Sequence, residues 1–176
     1  LLQLVRSLGL RIVEIPLDPE RGLDPTRFDQ ATSSSQKPVK AAILVPNYSN
    51  PMGTLTSIED KKALVEIASG RGVVIIEDDI YGDLGHSGMR PPPFKAFDRD
   101  DSVILCGSFA KTIAPGFRAG FLFSERYAKE ITMLRTAIVS GTSSVMEETL
   151  AHYLKSGNYE RHLGQVRASY RTLVSH

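Results

Sequence analysis

The sequence holds one cysteine, Cys106, in 176 residues. That excludes an internal disulfide framework and a cysteine-rich zinc site. It has no excess of charge of either sign, since 21 basic and 20 acidic residues leave a net charge of +1. A chain-wide basic footprint for nucleic acid or an anionic membrane is therefore missing. No apolar run approaches the roughly 18 residues that a membrane helix needs, and no signal peptide opens the chain. A reducing, cytoplasmic setting is expected. The histidines, His86, His152, His162 and His176, include no pair at helical metal-binding spacing, so no metal is assigned. The run Glu77-Asp78-Asp79 after an apolar stretch is compatible with the Walker-B-like metal-carboxylate pair of a nucleoside triphosphatase. Such an enzyme also needs Gly-x-x-x-x-Gly-Lys-[Ser/Thr], which the chain lacks.

Hydrophobic residues make up 41% and charged residues 23% of the chain, the composition of an ordinary globular protein. The length fits one domain, able to bury roughly 70% of its unfolded surface. Leu1, Leu4, Val5 and Leu8 have the spacing of an amphipathic helix face, but no initiator Met and no capping residue precede them. The other end, Tyr159 to His176, reads as a helix without a stop signal. Both ends are expected to continue into a longer protein.

Between them, strand and helix signals alternate. Leu10 to Leu17 is short, β-branched and bounded by Pro16 and Asp18, the pattern of a strand. Asp24-Pro25 caps a short helix, with proline at its first position. A polar loop runs from Ser33 to Pro38. Ala41 to Val45 is continuously apolar up to Pro46, as expected for a strand buried on both faces. Ser57-Ile58-Glu59-Asp60 opens a helix with an inner stripe of Leu64, Ile67 and Ala68, ended by Gly70 or Gly72. Val73–Ile76 and Ser102–Cys106 are further buried strands, and Arg118–Phe123 is a candidate fourth. Helices are expected over Glu125–Val139 and Ser144–Leu154. Gly82, Gly85 and Gly88 read as loop flexibility. This alternation implies an α/β fold with three layers, a mainly parallel sheet flanked by helices.

In open α/β sheets, ligands bind beyond the carboxyl ends of the strands. The segments that follow the three apolar strands are Pro46–Gly53, Glu77–Tyr81 and Gly107–Arg118. Together they bring an amide, carboxylates, a phenol, a hydroxyl, an amine and a guanidinium to one rim. An aldehyde cofactor such as pyridoxal phosphate needs this set: a lysine for a Schiff base, a carboxylate at the ring nitrogen, donors for the phenolate oxygen and a cationic cup for the phosphate. Taken alone, Lys111 reads as a solvated lysine, Glu77 as structural, Asp79 as a turn cap, Tyr48 as packing and Cys106 as an inert strand residue.

The runs Asn50-Pro51-Met52-Gly53, Asp78-Asp79-Ile80-Tyr81, Ser108-Phe109-Ala110-Lys111 and Arg118-Ala119-Gly120 resemble, in order and approximate separation, the signature stretches of fold-type I aminotransferases. The resemblance covers most of the chain. It implies the pyridoxal-phosphate-dependent transferase fold, with residues 1–156 as part of the large cofactor-binding domain. Residues 157–176 would begin a helix leading toward a small C-terminal domain. Lys111 is implied as the Schiff-base lysine and proton shuttle, with Asp78 at the pyridinium nitrogen. Asn50 and Tyr81 would contact the phenolate oxygen, and Ser108 and Arg118 the phosphate. Asn50-Pro51 is expected to be cis, because the peptide must turn sharply to present its amide. Met52 stands where threonine is commonest in the family, and Ala110 where serine is frequent.

The stretches Leu2–Gly9, Ile76–Leu84 and Lys95–Asp98 most resemble the aminotransferase-like half of GntR/MocR-type transcriptional regulators, which join it to an N-terminal winged helix-turn-helix. Aminoadipate and kynurenine aminotransferases share nearly the same motifs. Three readings of the whole protein follow: an effector-sensing domain of such a regulator, a free-standing aminotransferase, and a degenerate domain that no longer takes cofactor. The resemblance implies a homodimer, a small amino acid or amine as ligand, and DNA contact only through an upstream domain. The family's glycine/serine phosphate loop and its substrate-carboxylate arginine fall outside these 176 residues, so this stretch alone is expected to be inactive.

Overall fold

In the computed structural model, which describes residues 2–33, 37–85, 88–139, 141 and 143–174, local side-chain capping marks where two of the helices begin. Helix α1 spans Leu2–Ser7 and buries nothing. Helix α2 spans Pro25–Ser33, and Asp24 Oδ1 accepts the Thr26 N–H at 2.7 Å. Proline at the first position costs no hydrogen bond, because that N–H has no intrahelical partner. Helix α3 spans Ile58–Gly70, and the Ser57 hydroxyl accepts the Asp60 N–H at 3.0 Å. Glu59 and Asp60 place negative charge in its first turn, where the helix dipole favours it.

The apolar runs form the sheet. Strands β1 (Ala41–Leu44), β4 (Val74–Asp78), β5 (Val103–Ser108) and β6 (Gly120–Phe123) lie in the order β1-β4-β5-β6. The first three are parallel, and β6 runs antiparallel to β5. Strands β2 (Asn47–Ser49) and β3 (Thr54–Leu55) form a small antiparallel hairpin around a cis Asn50–Pro51 bond. The core is Leu23, Phe28, Leu64, Val65, Ala68, Val73, Ile75, Phe94 and Val103, where α2 and α3 meet the sheet. Helices α4 (Ala128–Ile138), α5 (Ser144–Lys155) and α6 (Asn158–Val174) follow. Tyr159 and Leu163 of α6 are buried. Among the described residues, no helix is long and apolar enough to cross a membrane.

The α/β class, the parallel sheet and its flanking helices match the sequence expectations. Several elements differ. Residues 10–17 form no strand, because a strand needs a partner ladder and no described segment pairs with them. Their β-branched pattern is satisfied only as far as Ile15, which packs on the core. Strand β1 is not buried on both faces: it is the sheet's edge, and Ile43 is 41% exposed. Strand β6 starts at Gly120 and α4 at Ala128, both later than expected. The face of Leu4, Val5 and Leu8 stays unburied. Leu1, His86, Ser175, His176 and the loop residues 34–36 lie outside the described residues.

Phe28 of α2 is fully buried in this core. Phe28→Ala should cost about 3–5 kcal/mol of unfolding free energy, against about 1 kcal/mol for Ser57→Ala, which removes one cap. Urea unfolding of the two variants checks the ranking, and equal losses would show that the core is not centred on Phe28.

Candidate functional site

The register of the parallel ladder places the strand ends side by side. Glu77 lies opposite Leu44 on one flank and Leu105 on the other, and Asp78 lies opposite Cys106. Ser108 ends β5 opposite Gly120, two residues after Arg118. The Asp78, Ser108 and Arg118 positions therefore share one rim of the sheet. The Asn50 loop joins them through Asn47, whose Nδ2 donates to Asp79 Oδ1 at 2.8 Å.

Local contacts shape the loop that carries Lys111. The Ser108 hydroxyl accepts the Ala110 N–H at 3.2 Å, and the Ile113 N–H donates to the Phe109 carbonyl at 2.8 Å. Phe109 N–H donates to the Ala119 carbonyl at 3.1 Å, which closes the loop onto the Arg118 segment. Arg118 has φ +48° and, like Lys111 and Asn50, is exposed. Tyr81 and Asp78 are half-buried. Among the described residues, the side chains of Asn50, Asp78, Tyr81, Lys111 and Arg118 make no hydrogen bond or ion pair. Burial, followed by the neighbouring charge of Asp79, holds the Asp78 carboxyl above the usual carboxylate range. A half-buried carboxylate without a partner is suited to receive a cation.

Asp79 is not a turn cap. It follows Asp78 on the opposite face of the strand end, its side chain wholly buried and ion-paired with Arg90. It belongs to a polar network that sequence reasoning missed. Lys61 Nζ donates to Asn47 Oδ1 at 2.6 Å and to the Pro92 carbonyl at 2.8 Å. Arg90 Nε donates to Asp83 Oδ1 at 2.7 Å, and the Tyr159 hydroxyl donates to Asp83 Oδ2 at 2.9 Å. Lys61 is almost fully buried, and desolvation holds its amine below the ordinary lysine value. A lysine on the same helical stripe as Leu64, Val65 and Ala68 was the available signal.

Gly82 and Gly85 are not flexible links. A Cβ on Gly82 would overlap the Asp79 carboxylate, and one on Gly85 would overlap the Tyr48 hydroxyl. Tyr48 is thus a packing residue, as expected. Cys106 is a half-buried strand residue whose thiol is pushed up to about 11 by burial and by Asp78 and Glu77, which keeps it protonated and inert. Glu77 is structural: its oxygens accept the Phe94 and Lys95 N–H groups at 2.6 and 3.0 Å.

Burial pushes the Glu77 carboxyl up to about 7, against 4.5 for the ordinary group. The folded state therefore holds this proton more tightly than the unfolded chain does. Its contribution is present below about pH 4.5 and lost as pH rises to about 7, on the order of 3 kcal/mol. Urea unfolding at about pH 5 and about pH 8 should show that Glu77→Gln removes this part of the pH slope. An unchanged slope would assign the proton elsewhere.

The profile of aminotransferases of class I and II matches residues 2–175. The uncharacterized HTH-type transcriptional regulator YjiR of Escherichia coli (strain K12) is 36% identical over 170 residues, covering 97% of this chain and 36% of the regulator. The structure of kynurenine aminotransferase from Pyrococcus horikoshii, in complex with PMP, superposes with a TM-score of 0.86 at 29% identity, over 97% of this chain and 43% of that one. That of LysN, the α-aminoadipate aminotransferase of Thermus thermophilus, complexed with N-(5'-phosphopyridoxyl)-L-leucine, gives 0.82 at 28% identity, over 97% and 44%. The chain thus spans less than half the length of each of these relatives.

Proposed function

The chain belongs to the class I and II aminotransferase family, and from that premise we propose that it is part of a pyridoxal-phosphate-binding domain in a GntR/MocR-type transcriptional regulator. The observation that carries the cofactor reading is the half-buried Asp78 carboxylate, which among the described residues has no hydrogen-bond or ion-pair partner, near an exposed lysine and arginine that likewise have none there. Its residue types fit the group: one carboxylate for a cation, one amine for an aldehyde, one guanidinium and one hydroxyl for a phosphate.

Pyridoxal phosphate, when bound, supplies an aldehyde that condenses with an amine and a ring that withdraws electrons from the attached carbon. In this reading Lys111 would provide the amine that tethers the cofactor and would hold and return the proton at the substrate's α-carbon. Asp78 keeps a proton on the ring nitrogen by charge. Asn50 and Tyr81 would donate hydrogen bonds to the phenolate oxygen. The Ser108 hydroxyl and the Arg118 guanidinium grip the phosphate, arginine through its planar fork of donors. Residues 1–156 would belong to the large domain, and α6 would lead toward a small one. A small amino acid or amine is the expected ligand. The protein is taken to be a cytoplasmic homodimer that meets DNA through an upstream winged helix-turn-helix.

The regulator reading is supported by the 36% identity to YjiR and by the share of that protein left for other domains. The resemblance to kynurenine and α-aminoadipate aminotransferases favours a second reading, a free-standing enzyme that moves an amino group between an amino acid and a 2-oxo acid. The segment upstream separates them: a winged helix-turn-helix belongs to the first and a short substrate-covering arm to the second.

Borohydride reduction of the full-length protein mixed with pyridoxal phosphate should leave a phosphopyridoxyl label on Lys111 in peptide mapping. Lys111→Ala should abolish the label while circular dichroism stays native. A label elsewhere, or none on the wild type, would overturn the cofactor reading and favour a degenerate domain.

A further inference from the structure

Behind the candidate cluster, Asp79, Arg90 and Asp83 form one connected unit, and none of the proposed cofactor contacts uses them. Arg90 Nη2 donates to Asp79 Oδ2, and its Nε donates to Asp83 Oδ1 at 2.7 Å. One guanidinium thus closes a ring over residues 79–83, the turn that carries Tyr81 and leaves the strand at Asp78. Both ends of this ring are anchored. Asp79 Oδ1 accepts Asn47 Nδ2 at 2.8 Å, which ties it to the hairpin carrying Asn50. Asp83 Oδ2 accepts the Tyr159 hydroxyl at 2.9 Å, and the Asp83 carbonyl accepts Arg167 Nε at 2.7 Å, which ties it to α6. Inside the ring, Gly82 lies so close to the Asp79 carboxylate that a Cβ would overlap it. The Asp79 side chain is wholly buried, whereas Arg90 keeps 36% of its side-chain surface exposed.

The chemistry asks for arginine here. A guanidinium presents several donors in a fixed plane and can serve two carboxylates at once, while an ammonium acts as a point charge. The bridge pairs Asp79, whereas among the described residues Asp78 has no hydrogen-bond or ion-pair partner. A turn held at both ends loses little entropy when a ligand docks on it, which is the physical content of preorganisation.

We propose that Arg90 is a positioning residue for the cofactor's ring: by bridging Asp79 and Asp83 it fixes the Asp78–Tyr81 turn, and so sets where the Asp78 carboxylate and the Tyr81 hydroxyl stand. The proposal rests on the cofactor reading above.

The test uses the full-length protein, as wild type and as Arg90→Met, Arg90→Lys and Tyr159→Phe, with folding followed by circular dichroism. The readouts are retention of pyridoxal phosphate, the pH midpoint of the visible absorbance of the lysine-bound cofactor, and amide exchange of residues 79–84 without cofactor. Arg90→Met should retain cofactor on the order of tenfold less tightly, displace the pH midpoint and raise exchange in the turn. Arg90→Lys should restore these only in part. Tyr159→Phe, which keeps the ring packing, should raise exchange at Asp83 with a smaller loss of retention. A folded Arg90→Met protein with wild-type retention and midpoint overturns the proposal, even if it melts earlier, since lowered stability alone is a structural effect. If Arg90→Met does not fold, a folded Arg90→Lys protein with wild-type values overturns it. Wild type that takes no label at Lys111 overturns the cofactor reading and this role together. Wild type that does, beside unchanged variants, overturns the Arg90 role alone.

Discussion

A wholly buried carboxylate must be paired, and the arrangement of this rim follows from how Asp79 meets that requirement. An isolated charge in an apolar interior costs several kcal/mol even after relaxation. Asp79 has two compensating partners, the Arg90 guanidinium and the Asn47 amide. Asn47 comes from the β2–β3 hairpin and Arg90 from the segment after β4. Satisfying one buried charge therefore draws the hairpin after β1 and the long segment after β4 onto the same strand end. Lys61 extends the pattern: its amine reaches Asn47 and the Pro92 carbonyl from the inner face of α3. Desolvation of these groups is offset only when every member is present, so the network behaves as a unit rather than as separate pairs.

Alternation along a strand then divides neighbouring acids into different jobs. Glu77, Asp78 and Asp79 are consecutive, but successive side chains point to opposite faces. Glu77 turns toward the Phe94–Lys95 backbone and Asp79 toward Arg90, each wholly committed. Asp78, between them, points to neither partner set. The same pleat that buries its neighbours leaves it half-exposed on the rim. Its chemical availability is thus a consequence of strand geometry.

That division explains what could be read from the sequence. The rule that ligands gather beyond strand ends directed attention to the segments at the ends of the apolar runs, and the ladder register brings the Asp78, Ser108 and Arg118 positions among them to one rim. The caps at Asp24 and Ser57 were legible because capping is local. What was not legible depends on partners far away in the chain. Residues 10–17 carry a strand pattern, but pairing is non-local, and a pattern cannot supply a neighbouring strand. Ile43 and its neighbours looked doubly buried because an apolar run reads the same at an edge as in a sheet centre. Arg90 lies 11 residues from Asp79, and Tyr159 lies 76 residues from Asp83, separations at which neither spacing nor motif carries a signal. Gly82 and Gly85 were misread for a related reason: a glycine needed for close approach and one needed for flexibility are the same letter.

Helix α6 completes the logic, because it grips two of the three loops at once. Tyr159 and Arg167 hold Asp83, while His162 Nε2 lies 2.8 Å from the Thr112 carbonyl, one residue beyond Lys111. The Tyr159 ring also meets Phe109 edge-on at 5.9 Å, between Ser108 and Lys111 along the chain. Three side chains of one helix therefore bind the lysine loop and the Asp78–Tyr81 turn to one rigid rod. An α-helix transmits displacement along its length because its hydrogen bonds are internal. A shift of α6 along its axis cannot move one loop without loading the other. The loop that carries Lys111 and the turn that follows Asp78 thus share one helix as their support.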